Sequence, residues 1–438
     1  RLLGIFDRPA DAECMAALRK PPVIAGLTDP LFTLKRDSST GLVTERAISD
    51  KAWNHAKHFL ADFSMVTMQT DASPRGLLDA HPLLREYFAR QLRAQQPAAW
   101  RAANRRLYEH LCATTQDKEQ PTLDDLQPLY QAVFHGCQAG AYEETRAQVY
   151  RDRIQRNRVA YSTIKLGALS SDLGAIACFF DNAWKPLVTD IPLIHRAWLF
   201  NEAAFTLTAL GRFKEAIATM RAAATTAARL KHWANAAIYR SNLSELRLLL
   251  GQVSGAVNAA GRAVVYADKS AIDFHRRSIR TTQAEALHYA GQKQAAEKCF
   301  QEARQLQPAH DTSFPGDYSL GEYRLCDLIL ADSEREVWRR LLLPVHKQVS
   351  NPAHQWYARR REQALMACAE ASRLVQPQIS WKSAQKWILY AALDHLIMGR
   401  SGLYTVCMTI PSDRIKRARE KSVKQVSDCE AHIETAVT

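Results

Sequence analysis

The sequence predicts an all-α chain, much of it built from stacked helical hairpins. Hydrophobic residues make up 47% of the chain and recur at helical spacing, whereas strictly alternating runs of β-branched residues are nearly absent. The 438 residues exceed what a single hydrophobic core usually organises. One phrase also recurs every 40 residues, as LGRFKEAI at 210–217, LGQVSGAV at 250–257 and AGQKQAAE at 290–297.

Each copy of this phrase predicts the turn of one helical hairpin. Its glycine can take the positive φ that ends a first helix, and small residues seven before and five after it let two antiparallel helices approach closely. No such hairpin can bury its apolar stripe alone, so successive hairpins should stack into a solenoid. The glycines are Gly211, Gly251 and Gly291, and the small residues are Ala204, Ser244, Ala284, Ala216, Ala256 and Ala296.

The first copy resembles the turn of a tetratricopeptide (TPR) repeat. Phe213 follows Gly211 by two residues and Ala216 follows it by five. Val253 and Lys293 replace the aromatic residue in the later copies, and the interval of 40 residues is longer than the roughly 34 of a TPR unit. The expectation is a TPR-like α-solenoid of helical hairpins with lengthened helices over residues 121–410, with a first hairpin turn at Gly140 and one further glycine-ended helix at Gly399. Its groove should be deep enough for a folded protein surface rather than a short peptide.

Residues 1–110 predict a different domain. Asp11 should cap an early helix, 31–53 is a polar stretch with the signature of a loop or disorder, and a helix should follow from Trp53 to about Met65. The segments SMVTMQTD, ASPRG and LLDAHPLLREYFARQL then indicate a strand, a tight turn, a strand and a helix. This order predicts a small winged-helix domain with a short β-wing ahead of the solenoid.

The same segment resembles a known family. LLGIFDRPAD, a helix, the wing and His-x-Leu-Leu-Arg-Glu-x-Phe at 81–88 are similar to the winged-helix segment that follows the nucleotide-binding domain in NB-ARC-type STAND NTPases. The family pattern Met-His-Asp is Ala80-His81-Pro82 here. The resemblance implies that His81 contacts the β-phosphate of a bound ADP and helps to hold a closed, inactive state. Taken alone, a histidine at this place would be a residue that starts a helix.

A phosphate loop of the form GxxxxGK[ST] does not occur in the sequence, so the backbone cradle, the phosphate-reaching lysine and the magnesium-binding hydroxyl are missing. This chain alone is therefore not expected to hydrolyse a nucleotide. ADP or ATP with Mg²⁺ would belong to a nucleotide-binding domain of the same polypeptide. Because the sequence starts at Arg1 without a methionine, it is interpreted as a piece of a longer or processed chain.

Polar residues on the first helices of the hairpins are candidates for a partner-binding groove, because those helices line the inner surface of TPR-like arrays. They could contact a protein or peptide through hydrogen bonds and charge, or they could bond one repeat to the next, and the sequence leaves both open. The candidates are Asn201, Glu202, Tyr239, Arg240, Asn242, Glu245 and His288.

The formal net charge is +13, and most of it is dispersed along helical patterns. Short basic clusters occur at 101–106, at 359–361 and in the C-terminal segment 411–438, which is expected to be a basic helix that caps the solenoid. Charge runs of this kind are more often solvated faces than nucleic-acid sites. Nucleic acid is therefore not the favoured partner, although a winged helix with an excess of positive charge keeps it as an alternative.

Nine scattered cysteines with no CxxC pair fit free thiols in a reducing cytoplasm, and no apolar run is long enough to span a bilayer. Neither a catalytic nor a metal site is expected. Ser401 lacks the strand-to-helix setting of a hydrolase nucleophile, and His55 and His58 lack a third ligand. The pairs His135 with Cys137 and Asp394 with His395 lie too close together in sequence to form a nucleophile–base arrangement.

The preferred hypothesis is a non-catalytic sensor region of a STAND-type signalling or defence NTPase. Its solenoid would bind a trigger protein, and the winged helix would couple that binding to nucleotide exchange and to oligomerisation. The alternative is a stand-alone TPR-like adaptor that assembles other proteins without a nucleotide switch.

Overall fold

The structure is a computed structural model that describes residues 1–36, 43–69, 76–157, 160–181, 184, 190–306, 320–342, 351–384, 388–410 and 414. Helices dominate these residues, and the predicted all-α class with TPR-like hairpins is confirmed. The chain divides into two compact units, Arg1–Thr219 (unit 1) and Met220–Thr438 (unit 2). Within the described ranges, no helix combines the length and apolar character needed to cross a membrane.

Unit 1 begins with short strands and helices. The predicted succession of strand, strand and helix at 65–95 is present, and residues 72–75 of the predicted turn lie outside the described ranges. Three strands form an antiparallel sheet of order β1-β5-β4. The elements are β1 (Ala10–Asp11), α1 (Ala12–Leu18), β2 (Phe32–Arg36), β3 (Val43–Ala47), α2 (Asp50–Asp62), β4 (Thr67–Gln69), β5 (Leu77–Asp79) and α3 (Pro82–Gln95).

The expectation of a loop or disorder over residues 31–53 is wrong for residues 32–36 and 43–47, which are strands, whereas residues 37–42 lie outside the described ranges. Strands β2 and β3 form an antiparallel hairpin in which Phe32 pairs with Ala47 and Arg36 with Val43. The hairpin is joined to the preceding loop, because the Val23 N–H donates to Glu45 Oε2 at 2.7 Å. Backbone pairing forms the ladder, and the polar composition of the segment concealed it.

The rest of unit 1 is helical. Its hydrophobic core runs without interruption from Ile5 to Ala203, past the predicted boundary near residue 110. Whether 1–110 is an autonomous domain therefore stays a prediction. The elements are α4 (Pro97–Thr114), α5 (Leu123–Gln138), α6 (Tyr142–Glu144), a π-helical segment (Thr145–Ile154), α7 (Tyr161–Ile164), α8 (Leu169–Ala177) and α9 (Leu193–Ala209). The division into units falls inside the next helix, α10 (Phe213–Arg229).

Unit 2 continues as antiparallel helices. Each of the next four helices packs against its neighbour in sequence, and α11 also packs against α13, which in turn packs against α15. A second group is formed by α15, α16 and α17, each of which contacts the other two. The elements are α11 (Trp233–Leu249), α12 (Val253–Ser270), α13 (Asp273–Tyr289), α14 (Lys293–Gln305), α15 (Gly321–Leu342), α16 (Asn351–Ala384) and α17 (Ile388–Thr409).

The repeated phrase produces the same hairpin turn at each copy. At Gly251, φ is 68°, the glycine N–H donates to the Leu248 carbonyl at 2.9 Å, and the next N–H donates to the Arg247 carbonyl at 2.8 Å. This pair of bonds satisfies the last carbonyls of the first helix. The same two bonds recur at Gly140, Gly211 and Gly291. The expected first hairpin turn at Gly140 is therefore confirmed.

The small residues lie where the two helices of a hairpin are closest. Ser244 and Ala256 have no exposed surface, and the Ser244 hydroxyl donates across the interface to the Ala256 carbonyl at 2.9 Å. The equivalent positions in the other copies, Ala204, Ala216, Ala284 and Ala296, are equally buried. A side chain the size of leucine at any of them would push the helices apart.

The sequence suggested one further glycine-ended helix, at Gly399, and this is wrong. Gly399 lies in the middle of α17 and does not take a positive φ. No aromatic or valine follows it two residues later and no alanine follows five later, so the rest of the repeated phrase is missing there. The predicted C-terminal basic helix at 411–438 lies outside the described residues apart from Arg414.

These two glycines make a matched pair for substitution. Gly251→Ala should lower the melting temperature by about 2–4 °C, because a positive φ costs an L-residue about 1 kcal/mol. Gly399→Ala should raise it by a similar amount, because alanine is favoured inside a helix and open space surrounds the site. Differential scanning calorimetry of both variants decides the point, and shifts of the same sign would contradict the turn assignment.

Candidate functional site

The first helices of successive hairpins in unit 2 form a pocket of about 320 Å³. Helices α11, α13 and α15 supply its walls, as expected for the inner surface of a TPR-like array. Its lining mixes apolar, hydroxyl, amide and charged side chains. The lining residues are Ile238, Ser241, Asn242, Glu245, Phe274, His275, Ser278, Ile279, Thr282, Leu320 and Arg324.

Arg324 is the most deeply buried charge of this pocket, with 5% of its surface exposed. Its Nη2 donates to Glu245 Oε1 at 2.6 Å, and its Nε lies 2.8 Å from Glu285 Oε2. Its Nη1 also donates to Thr282 Oγ1 at 3.1 Å. One guanidinium on α15 therefore binds groups on both α11 and α13.

The two carboxylates around Arg324 differ in their surroundings. Burial raises the pKa of Glu285, and the Arg324 charge offsets this only in part. The Glu245 side chain keeps 40% of its surface exposed and lies at the pocket surface. Its carboxylate therefore combines an internal ion pair with access for a ligand, which makes Glu245 the charged group best placed to contact a partner.

Of the predicted groove residues, Asn242 and Glu245 line this pocket. Tyr239 does not, because it is 3% exposed and lies in the interior. His288 lies close to α15, because its Nε2 is 3.6 Å from Asp327 Oδ2. The other carboxylate oxygen of Asp327 forms an ion pair with Arg400. His288 thus has a helix-bridging contact of the kind that the sequence left open as the alternative to partner binding.

Asn201 and Glu202 belong to unit 1. Asn201 Nδ2 donates to Glu202 Oε1 at 3.3 Å, and both side chains are partly buried. Burial raises the pKa of Glu202 to about 7, and the nearby Asp172 charge adds to the shift. Asp172 itself accepts hydrogen bonds from Tyr130 and Ser162 in the core of this unit. Glu202 therefore lies next to a buried polar network.

His81 is the N-cap residue of α3. Its Nδ1 accepts from the Leu83 N–H at 3.3 Å, and the imidazole is exposed. The flanking residues Asp79 and Arg85 form an ion pair at 3.2 Å across the start of the helix. The plain reading of His81 as a helix-start residue is confirmed, and its exposure leaves the ring accessible to a ligand.

Several functional-looking residues have structural contacts. His135 is buried, its Nδ1 lies 2.8 Å from Asn104 Oδ1, and burial lowers its pKa to about 3. Ser401 is buried within α17. Among the described residues, no group of three or more His, Cys, Asp or Glu side chains has the arrangement of a metal site.

The basic clusters noted in the sequence are also engaged. Arg105 binds Glu109 and Glu144, and Arg106 donates to the carbonyls of Lys20 and Pro22. In the second cluster, Arg360 lies over the Trp356 ring at 4.6 Å. The carboxylates of Glu109 and Glu144 therefore offset the charge that Arg105 could offer to a phosphate backbone.

Sequence reasoning missed Arg324 and Glu285. Glu285 could have been found, because it follows Glu245 by one repeat interval of 40 residues and shares its place on the first helix. Arg324 comes after residues 307–319, which carry no copy of the repeated phrase, so its register relative to the earlier hairpins could not be read from the spacing.

No protein-family model matches the chain, and no curated protein matches it significantly. Among solved structures, one match is the crystal structure of a signal transduction ATPase with numerous domains (STAND) protein with a tetratricopeptide repeat sensor from Pyrococcus horikoshii. The two share 10% identity at a TM-score of 0.31, and the match covers 98% of this chain and 63% of that one.

The raised pKa of Glu202 makes a testable difference to stability. Since its folded pKa of about 7 lies above the ordinary value of 4.5, this group favours folding at low pH, and its contribution is lost as pH rises from 4.5 to about 7. Glu202→Gln should therefore raise the melting temperature at about pH 8 and leave it nearly unchanged at about pH 4.5.

Glu215 supplies the opposite case for the same thermal assay. A hydrogen bond from Arg212 and another from Trp184 lower its pKa, so its contribution is present at neutral pH and disappears as pH falls. Glu215→Gln should therefore lower the melting temperature at about pH 8. Glu202→Gln variants that melt lower at that pH would contradict the assigned environment of Glu202.

Proposed function

We propose that this chain is the sensor region of a STAND-type signalling NTPase, in which the helical hairpins bind a trigger protein and the N-terminal segment contacts a nucleotide-binding domain of the same polypeptide. The observation that carries the proposal is that the N-terminal segment exposes His81 together with several large apolar side chains. Helix α2 exposes Phe59 and Phe63, at 55% and 65%, and α3 exposes Leu83 and Tyr87. Large apolar side chains that are exposed in one segment are typical of surfaces that another domain covers.

The local topology supports the same interpretation. In the sheet of order β1-β5-β4, the chain between β1 and β4 holds α1, the β2–β3 hairpin and α2, and α3 follows β5, an order that favours the winged-helix interpretation. His81 caps α3 directly after the β4–β5 pair. This is the position that the Met-His-Asp histidine holds in the family that the segment resembles.

The pocket in unit 2 supports the sensing half of the proposal. A concave surface that combines Phe274 with Asn242 and the half-exposed Glu245 offers one apolar and two polar contacts to a partner. Peptide and protein ligands of helical repeat arrays are held by such mixed inner surfaces. In the proposed mechanism the trigger binds the open state more tightly and so favours exchange of the nucleotide.

The genomic reading frame is the first test. A phosphate-loop domain encoded upstream and in frame is the expected result. An upstream stop codon with a start at this segment would overturn the proposal in favour of the stand-alone adaptor. One observation favours the adaptor. The pocket in unit 2 is formed by residues of this chain alone, so it could bind a protein without a nucleotide switch.

His81→Ala in the full-length protein is the second test. It should reduce the ADP that is retained through purification by about tenfold or more, as measured by chromatography of the released nucleotide, because a charged hydrogen bond to phosphate is lost. Ser49→Ala is the matched control, because Ser49 caps α2 in the same way, with its Oγ accepting from the Ala52 N–H. Both variants lose a helix cap worth about 1 kcal/mol, so equal ADP retention in the two would contradict the role of His81.

A further inference from the structure

Four arginines lie together on α10, α11 and α12 of unit 2. They are Arg221, Arg240, Arg247 and Arg262, and in the described part of the chain none of them forms an ion pair with a carboxylate. The Nε atoms of Arg240 and Arg247 are buried without a hydrogen-bond partner. Arg247 donates only to a backbone carbonyl, that of Gly255, at 2.6 Å.

The arginines also repel one another. Burial lowers the pKa of Arg240, and the charge of Arg262 lowers it further. Burial likewise lowers the pKa of Arg247, and Arg221 and Arg240 add to that shift. Positive charges are therefore held close together in a partly desolvated place, which is unfavourable unless an anion joins them.

The internal repeat shows how these positions face each other. Arg280 and Glu302 follow Arg240 and Arg262 by one interval of 40 residues, and Arg280 Nε lies 3.3 Å from Glu302 Oε2. The contact between Arg247 and Gly255 fits the same antiparallel register of α11 and α12. Arg240 and Arg262 therefore occupy facing positions of their hairpin.

The next hairpin neutralises the equivalent arginine. Arg280 binds Asp268 at 2.9 Å in addition to Glu302, and although burial acts to lower its pKa, these carboxylates raise it overall. Around Arg240, Ala228 on α10 stands at the position of Asp268 on α12, and Arg262 on α12 stands at the position of Glu302 on α14. Arg280 thus has a carboxylate on each of the two flanking helices, whereas Arg240 has neither of them and faces a second cation.

We propose that the arginine cluster, formed by Arg221, Arg240, Arg247 and Arg262, binds a carboxylate-rich segment of a protein partner. This inference rests on the proposed role of the hairpins in protein binding and names the chemistry of the partner. Guanidinium groups match carboxylates in planar, two-point contacts. Arg240 and Arg247 are two helical turns apart, about 10 Å, which about three residues of an extended acidic segment would span.

A carboxylate partner is favoured over nucleic acid by the aromatic groups beside the cluster. Single-stranded nucleic acid is bound by bases that stack on free aromatic faces. Here Trp233 is stacked on Tyr266 with ring centres 5.6 Å apart, and Lys269 Nζ lies 4.7 Å from the Trp233 ring centre. These rings are occupied by each other and by a lysine, so the cluster offers charge without a stacking platform.

The test is the binding of a fluorescein-labelled peptide of ten glutamates to the full chain, followed by fluorescence anisotropy. Saturable binding that weakens as salt is added is expected. Arg240→Gln combined with Arg247→Gln should weaken it at least about tenfold. The matched control removes two exposed arginines elsewhere, Arg229→Gln with Arg304→Gln, and should retain most of the affinity.

Arg262→Glu separates binding from folding. It should give Arg240 the carboxylate that Glu302 gives Arg280, so the melting temperature should stay the same or rise while the peptide affinity falls at least about tenfold. Unchanged peptide affinity in this variant and in the double glutamine variant would overturn the proposal. So would tighter binding of a ten-nucleotide single strand than of the peptide at equal salt. The assay involves no nucleotide-binding domain, so its failure would leave the ADP-retention result of His81→Ala standing.

Discussion

A buried guanidinium holds the first helices of unit 2 together. Arg324 on α15 binds Glu245 on α11 and Glu285 on α13, and these three residues come from segments that span 79 positions of the chain. Charges removed from water are costly unless they are paired and hydrogen-bonded, and leaving one partner unpaired typically costs about 3–5 kcal/mol. The walls of the candidate pocket are those same three helices, so the pocket depends on this interaction.

Comparison of the repeats distinguishes positions that the hairpin structure constrains from positions at which the residue type varies. Every copy keeps the turn glycine and the small residues at the helix crossing, as in Gly251, Ser244 and Ala256, because backbone geometry and close packing permit few substitutes there. Charged positions outside the crossing differ between copies. Arg280 has internal carboxylates and Arg240 has none, although both hold the same place on their helices. Function is best sought where equivalent positions differ in charge.

Sequence spacing predicted the hairpins well, because a glycine that must take a positive φ and an alanine at a helix crossing leave a local signature. It predicted the pocket in part. Asn242 and Glu245 were found, whereas Tyr239 is interior, since its place on a first helix does not tell which side of the helix faces the groove. The β2–β3 hairpin was missed because backbone pairing in a polar segment leaves little pattern. Arg324 was missed because its partners lie on helices far away in sequence.

The claim that Arg324 assembles the inner surface of unit 2 can be tested by one comparison of melting temperatures. Arg324→Met alone should lower the melting temperature by about 10 °C, because Glu285 and Glu245 lose their partner. Adding Glu245→Gln and Glu285→Gln to the same variant should restore most of that loss, because no buried carboxylate then remains unpaired. A single variant that melts with the unchanged protein, or a combined variant that melts lower still, would contradict the claim.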